Sequence, residues 1–155
     1  MRLAGDGFLE CSDGHVRWGL YGAAGVVFVV RFPEGSRVMI QQRSRFAHEG
    51  GTWSCAGGAL HMGEDPLAGA LREAAEEVGE IPDPVVVLGS TVFAPADDWS
   101  YTTFVVEVPH EFGASVNFET VAVAWDAPDE VERRPLHAGF AAAWPELRRI
   151  MERAR

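Results

Sequence analysis

The sequence predicts an α/β protein in which a mixed β-sheet is packed between helical layers. Three observations point there: β-branched apolar runs stand on both sides of one strongly marked helix, Pro- and Gly-containing turns separate them, and a second helical region closes the chain. Periodicity by itself narrows the class only to α/β or α+β.

Residues 22–32 form a β-branched run typical of a central strand, and 36–42 return after the Pro33-Glu34-Gly35 turn as its hairpin partner. Residues 52–56 lead into a glycine loop at Gly57 and Gly58. A helix over 66–78 follows. Pro82 and Pro84 then break the chain, 85–93 and 101–108 read as strands joined by a loop holding Asp97, Asp98 and Trp99, and 120–125 as another. Pro135 and Pro145 bracket a final helical region, 137–153, with Phe140, Trp144, Leu147 and Ile150 as its docking face, and Pro145 either starts a new turn or splits it. No repeat or low-complexity tract is present.

The central helix has clear ends. Asp65 is an N-cap, Pro66 occupies the first helical position, where its missing N–H costs nothing, and Gly79 suits the position after the last turn. Leu67, Leu71, Ala74, Ala75 and Val78 make an apolar stripe for docking on the sheet. Glu73, Glu76 and Glu77, at i, i+3 and i+4, form an acidic face opposite. Such like-charge pairs cost roughly 0.2–0.5 kcal/mol each, and Arg72 is the only cation on the helix that relieves them. A solvated face is the ordinary reading of E-x-x-E-E, but a bound divalent cation turns the repulsion into coordination, and clustered anionic oxygens suit Mg²⁺ or Mn²⁺. Gly57 and Gly58 let the backbone pass close to an ion or phosphate, so that a carbonyl there joins the coordination sphere, although paired glycines alone mark only a tight turn. Glu64 has an ordinary use as a helix-start carboxylate.

From Gly58 to Gly79 the chain reads G-x5-E-x7-R-E-x-x-E-E-x-G. This resembles the signature of the Nudix hydrolase family, G-x5-E-x7-R-E-U-x-E-E-x-G-U with U a bulky aliphatic. Gly58, Glu64, Arg72, Glu73, Glu76, Glu77 and Gly79 match every fixed identity, which chance supplies on the order of 10⁻⁸ per starting position. The departures are Glu80 and the small Ala74 at the aliphatic positions, with Ile81 one residue late, and Ala56 where the family usually has a proline. The resemblance extends to an upstream strand pair and a downstream Glu119-to-Trp125 segment.

The resemblance implies an α/β/α sandwich with the Nudix box at 58–80, and hydrolysis of a nucleoside diphosphate linked to another group, with water attacking phosphorus. The residues assigned to metal are Glu73, Glu76 and Glu77, with Gly57 from the loop. The catalytic group is Glu76, Glu73, Arg72, Glu64 and Glu119. Glu76, Glu73 or Glu119 takes the proton from water, relatives differing in this role, and Arg72 orients the glutamates by charge-assisted hydrogen bonds. For substrate binding, Arg43 and Arg45 are placed to meet phosphate, and Trp53, Trp99, Tyr101 and Phe46 to stack on a base, each aromatic having packing as its ordinary alternative. His48 and His61 are polar loop residues. Two rival classes remain: a non-catalytic Nudix-fold nucleotide-binding or sensor module, whose mark would be missing glutamates, and a prenyl diphosphate isomerase, for which no second catalytic set surrounds Cys55.

At 155 residues and 47% hydrophobic content the chain suits one globular domain, 1–155. A net charge of −10 argues against a nucleic acid polymer or an anionic membrane as partner. The expected partner is a small-molecule nucleotide or nucleoside diphosphate derivative, and a homodimer is left open. Residues 1–10 lack the pattern of a secretory signal, and the longest apolar run, 23–30, falls far short of the ~20 residues that span a bilayer, so a cytoplasmic location is expected. Cys11 and Cys55 are too few for a disulfide framework, and Cys11 with His15 is too sparse for zinc; both cysteines read as buried thiols.

Overall fold

The computed structural model describes residues 3–44, 49–113 and 120–154. An N-terminal hairpin of β1 (Phe8–Glu10) and β2 (Val16–Trp18) forms a sheet of its own. The main sheet is built around β3 (Ala23–Phe32), whose first eight residues are all buried, as a strand covered on both faces requires. β4 (Gly35–Arg43) returns antiparallel, with Val29 opposite Val38 and Phe32 opposite Gly35. Past Val38 the two strands diverge, and the fork between them is filled by β5 (Trp53–Ser54), paired with β4, and β6 (Ala56–Ala59), paired with β3.

α1 (Pro66–Val78) follows β6, and the chain then forms the hairpin of β7 (Val86–Ala96) and β8 (Trp99–Glu107). β8 lies parallel to β3 and β7 is the outer edge, so the sheet is mixed. β9 (Thr120–Asp126) pairs antiparallel with β4, and α2 (Pro128–Val131) and α3 (Ala138–Arg153) end the chain. Two buried clusters occupy opposite faces of the sheet. Ala24, Val26, Phe28 and Val30 meet α1 on one side, while Val27, Val29 and Ile40 meet Phe140, Trp144, Leu147 and Ile150 of α3 on the other. The fold is the expected α/β sandwich.

Four details depart from the sequence reading. Gly57 and Gly58 lie in β6 rather than in a loop, opposite Gly25 and Ala24. Trp99 opens β8, leaving only Asp97 and Asp98 in the turn. α3 runs unbroken through Pro145, because docking of its whole buried face outweighs one lost helical hydrogen bond. The buried face of α1 is Gly69, Ala70, Ala74, Glu77 and Val78; Leu67 and Leu71 are half-buried at its flank and Ala75 is exposed. Small residues let the helix lie close to the sheet, and that rotation carries Glu77 inward. Ile81 packs against the α1-side cluster while Glu80 is exposed, so the aliphatic contact is made one residue late. The pairs β1–β2 and the four-residue α2 were not anticipated, being too short to show a period.

Candidate functional site

The site grows from the two ends of α1. Asp65 accepts from the Ala68 N–H at 3.1 Å, and Gly79, at φ 99°, donates its N–H to the Ala75 carbonyl at 3.1 Å. Between these caps Arg72 gathers the carboxylates. Its Nε and Nη2 donate to Glu64 Oε2 and Oε1 at 2.9 and 3.0 Å, Nη2 also reaches the Ala59 carbonyl at 3.1 Å, and Nη1 donates to Glu73 at 3.0 Å. Glu76 is 3.5 Å from the same Nη1 and its side chain is 60% exposed.

The electrostatics divide these groups. The Arg72 guanidinium, helped by the His61 N–H at 2.9 Å, holds the Glu64 carboxyl down at about 2. Glu73 is pushed above the usual carboxylate range, chiefly by burial and further by Glu76 and Asp6, against the pull of Arg72. Gly58 leaves room for it, since a Cβ there would stand 2.5 Å from the Glu73 carboxyl carbon and displace it.

Glu77 lies under the fork between β4 and β6 and is only 9% exposed. Its Oε1 accepts from the Gly57 N–H at 2.9 Å and its Oε2 from Gln41 Nε2 at 3.0 Å. Gly57 therefore meets the acidic helix through its amide, whereas the sequence reading looked to its carbonyl. Gln41 was missed altogether. Strand alternation shows only that Gln41 shares a face with Met39, and nothing local places it at Glu77.

Among the described residues no three His, Cys, Asp or Glu side chains converge as a ready-made ligand group. The donor chemistry nevertheless fits a hard divalent cation. Glu73, Glu76 and Glu77 share one helix, two of them shielded from water, with Arg72 as their nearby cation, and oxygen donors of this kind suit Mg²⁺ or Mn²⁺.

Of the described residues expected to bind substrate, Tyr101 lies within electrostatic reach of Glu77, while Trp53 and Trp99 are engaged in other contacts. Trp53 is buried in the α3-side cluster with the Arg134 guanidinium 4.1 Å above its ring, an arrangement of packing. Trp99 donates to the Trp18 carbonyl at 3.2 Å, carries Arg17 5.4 Å over its ring, and neighbours Phe93 and Tyr101 at 6.3 and 6.4 Å between centroids. Tyr101 shares the α3 side of β8 with Val105, its hydroxyl beside the Cys55 thiol in the space left by the missing side chains of Gly25 and Gly57. Burial raises both groups, Tyr101 well above its usual value and Cys55 to about 12, with the Glu77 charge adding to each. Arg43 is half-buried at the end of β4, within electrostatic reach of Tyr101. Arg45, Phe46, His48 and Glu119 lie outside the described residues.

The family model for the NUDIX domain matches residues 22–147. A Mycobacterium tuberculosis protein named "Putative 8-oxo-dGTP diphosphatase 3" is 39% identical over 154 residues, covering 96% of this chain and 71% of the relative. A Bifidobacterium longum protein named "Nucleoside triphosphate pyrophosphatase/Nudix hydrolase fusion protein" is 37% identical over 149 residues, which are 92% of this chain and 31% of that one. In structure the chain is similar to RenU, a Nudix hydrolase from M. smegmatis, with a TM-score of 0.80, 32% identity and 96% of each chain covered.

Proposed function

This chain belongs to the Nudix family and is a pyrophosphohydrolase, and from that premise we propose that it uses Mg²⁺ or Mn²⁺ to cleave a nucleoside diphosphate derivative. The observation that carries the reading is the Arg72 hub, which lies 3.5 Å from Glu76 and bonds Glu64 and Glu73, the latter one helical turn from the buried Glu77. Glu73, Glu76 and Glu77 hold the cation, with Gly57 beside them. When bound, the cation neutralises the diphosphate and lowers the pKa of the attacking water. Water oxygen bonds to phosphorus, the bridging P–O bond breaks, and the water proton passes to Glu76, Glu73 or Glu119. Glu64 and Arg72 serve that group by holding it in place. Arg43 and Arg45 are assigned to phosphate and Trp99 and Tyr101 to the base, with Trp53 as packing behind them.

An oxidised guanine nucleoside triphosphate heads the substrates to try, because the M. tuberculosis relative at 39% identity is named for that chemistry. ADP-ribose, dinucleoside polyphosphates and nucleotide sugars complete the panel. Incubation with Mg²⁺ or Mn²⁺ is expected to release product from at least one of them. Metal-saturated protein that binds a nucleotide but leaves the whole panel intact would establish the sensor module instead. The described residues contain no helix long and apolar enough to cross a membrane, and we place the protein in the cytoplasm as one domain. Light scattering of the purified chain tests the homodimer.

A further inference from the structure

We propose that Gln41 is a positioning residue of the cation site, its amide nitrogen fixing Glu77 and its amide oxygen receiving a water of the bound cation. The inference rests on the cation reading given above and deepens it.

The orientation of the amide follows from its partner. Gln41 Nε2 donates to Glu77 Oε2 at 3.0 Å. That leaves Gln41 Oε1 pointing elsewhere. Gln41 is 6% exposed, and its Oε1 is the buried side-chain oxygen or nitrogen without a hydrogen-bond partner among the described residues. Its neighbour Gln42 donates its Nε2 to the Gly51 carbonyl at 3.1 Å. An apolar residue at 41 would continue the Val38-Met39-Ile40 run but take the donor from Glu77 Oε2, so Glu77 accounts for the amide nitrogen and leaves the amide oxygen unexplained.

An acceptor left open beside a fixed carboxylate calls for a donor that arrives with a ligand. The waters of a hydrated divalent cation are such donors, and Mg²⁺ and Mn²⁺ characteristically keep several of them. One side chain would then orient an inner ligand with its nitrogen and the hydration shell with its oxygen, the kind of support whose removal typically lowers metal affinity about 10- to 100-fold.

The test measures Mn²⁺ alone, without nucleotide, binding to the full chain by calorimetry, beside thermal unfolding with and without Mn²⁺. Gln41→Met keeps the length of the side chain and removes both polar atoms. It is expected to weaken Mn²⁺ at least about tenfold, and in the Glu77→Gln background to add little. Gln41→Glu keeps the shape and the acceptor but sets a second carboxylate against Glu77, so the metal-free melting point should fall and the rise on adding Mn²⁺ should exceed that of the parent. A merely structural residue would lower the melting point of Gln41→Met and leave its Mn²⁺ increment unchanged. Mn²⁺ affinity within twofold of the parent in Gln41→Met, with Glu77→Gln impaired, would overturn the role of Gln41 alone. Affinity unchanged in both would remove the cation from Glu77 and this proposal with it. Should Gln41→Met fail to fold, Gln41→Leu is read in its place: Mn²⁺ affinity at least about tenfold weaker supports the role, and affinity within twofold of the parent overturns it.

Discussion

Arg72 and Glu64 are joined by two parallel hydrogen bonds, Nε to Oε2 at 2.9 Å and Nη2 to Oε1 at 3.0 Å, across the start of α1. The pair ties the segment before the helix to its second turn, and the remaining guanidinium nitrogen faces Glu73 and Glu76. Glu64 is thus the anchor of the hub, and the hub sets where the other glutamates stand.

The anchor has a pH signature. Glu64 is held at about 2 against an ordinary 4.5, so its contribution to stability is fully present above 4.5 and is lost as pH falls toward 2. Glu64→Gln should cost on the order of 2 kcal/mol at pH 7, since it leaves a half-buried guanidinium without its partner. The gap to the parent should shrink between pH 5 and pH 3. Urea unfolding across that range measures it, and a gap independent of pH would show that the pair does not set the Glu64 titration.

Gly58→Ala separates folding from activity. The new Cβ would lie 2.5 Å from the Glu73 carboxyl carbon, the far end of a flexible side chain that can swing aside. The melting point should move by only a few degrees, while kcat falls at least about 100-fold, because small displacements of a catalytic group have effects of that size. Comparable rates in the two proteins would place the chemistry away from Glu73.

Glu77→Gln and Glu80→Gln should diverge. Like-charge relief alone would leave the metal-free fold unharmed by Glu77→Gln. The contacts reverse that expectation, because an amide cannot accept at both oxygens from Gly57 and Gln41, and about 1–3 kcal/mol should be lost without metal. Activity should fall by several orders of magnitude, with the Mn²⁺-induced rise in melting point largely gone. Glu80 is exposed and its substitution should change little. Initial rates and melting curves of both variants test this, and equal losses at 77 and 80 would contradict it.

Cys55→Ser should stay within a few fold of the parent in kcat/KM. The thiol is buried beside Tyr101 and pushed up to about 12, so at neutral pH it is neither a thiolate nor within reach of bulk reagent. A water-attack mechanism needs no thiol. Rapid labelling of native Cys55 by a thiol reagent, or a loss as deep as that from Glu77→Gln, would reopen a thiol mechanism.

The sequence by itself determined α1 and its chemical content, because caps, a 3.6-residue period and motif spacing are local properties that neighbouring residues write directly. Asp65, Pro66 and Gly79 bound the helix at 66–78, where it is found. The strands around β3 were legible for the same reason. Tertiary structure decided which face of that helix goes in, since the rotation depends on how closely Gly69, Ala70 and Ala74 let it approach a sheet formed from distant segments. It turned the glycine loop into β6, because pairing with β3 supplies hydrogen bonds that no local pattern announces. It also brought Gln41 to Glu77, 36 residues apart, and set Trp53 under Arg134. Such contacts arise where strands diverge or elements cross, and a single sequence carries no signal for the meeting of two residues whose spacing belongs to neither a helix nor a strand.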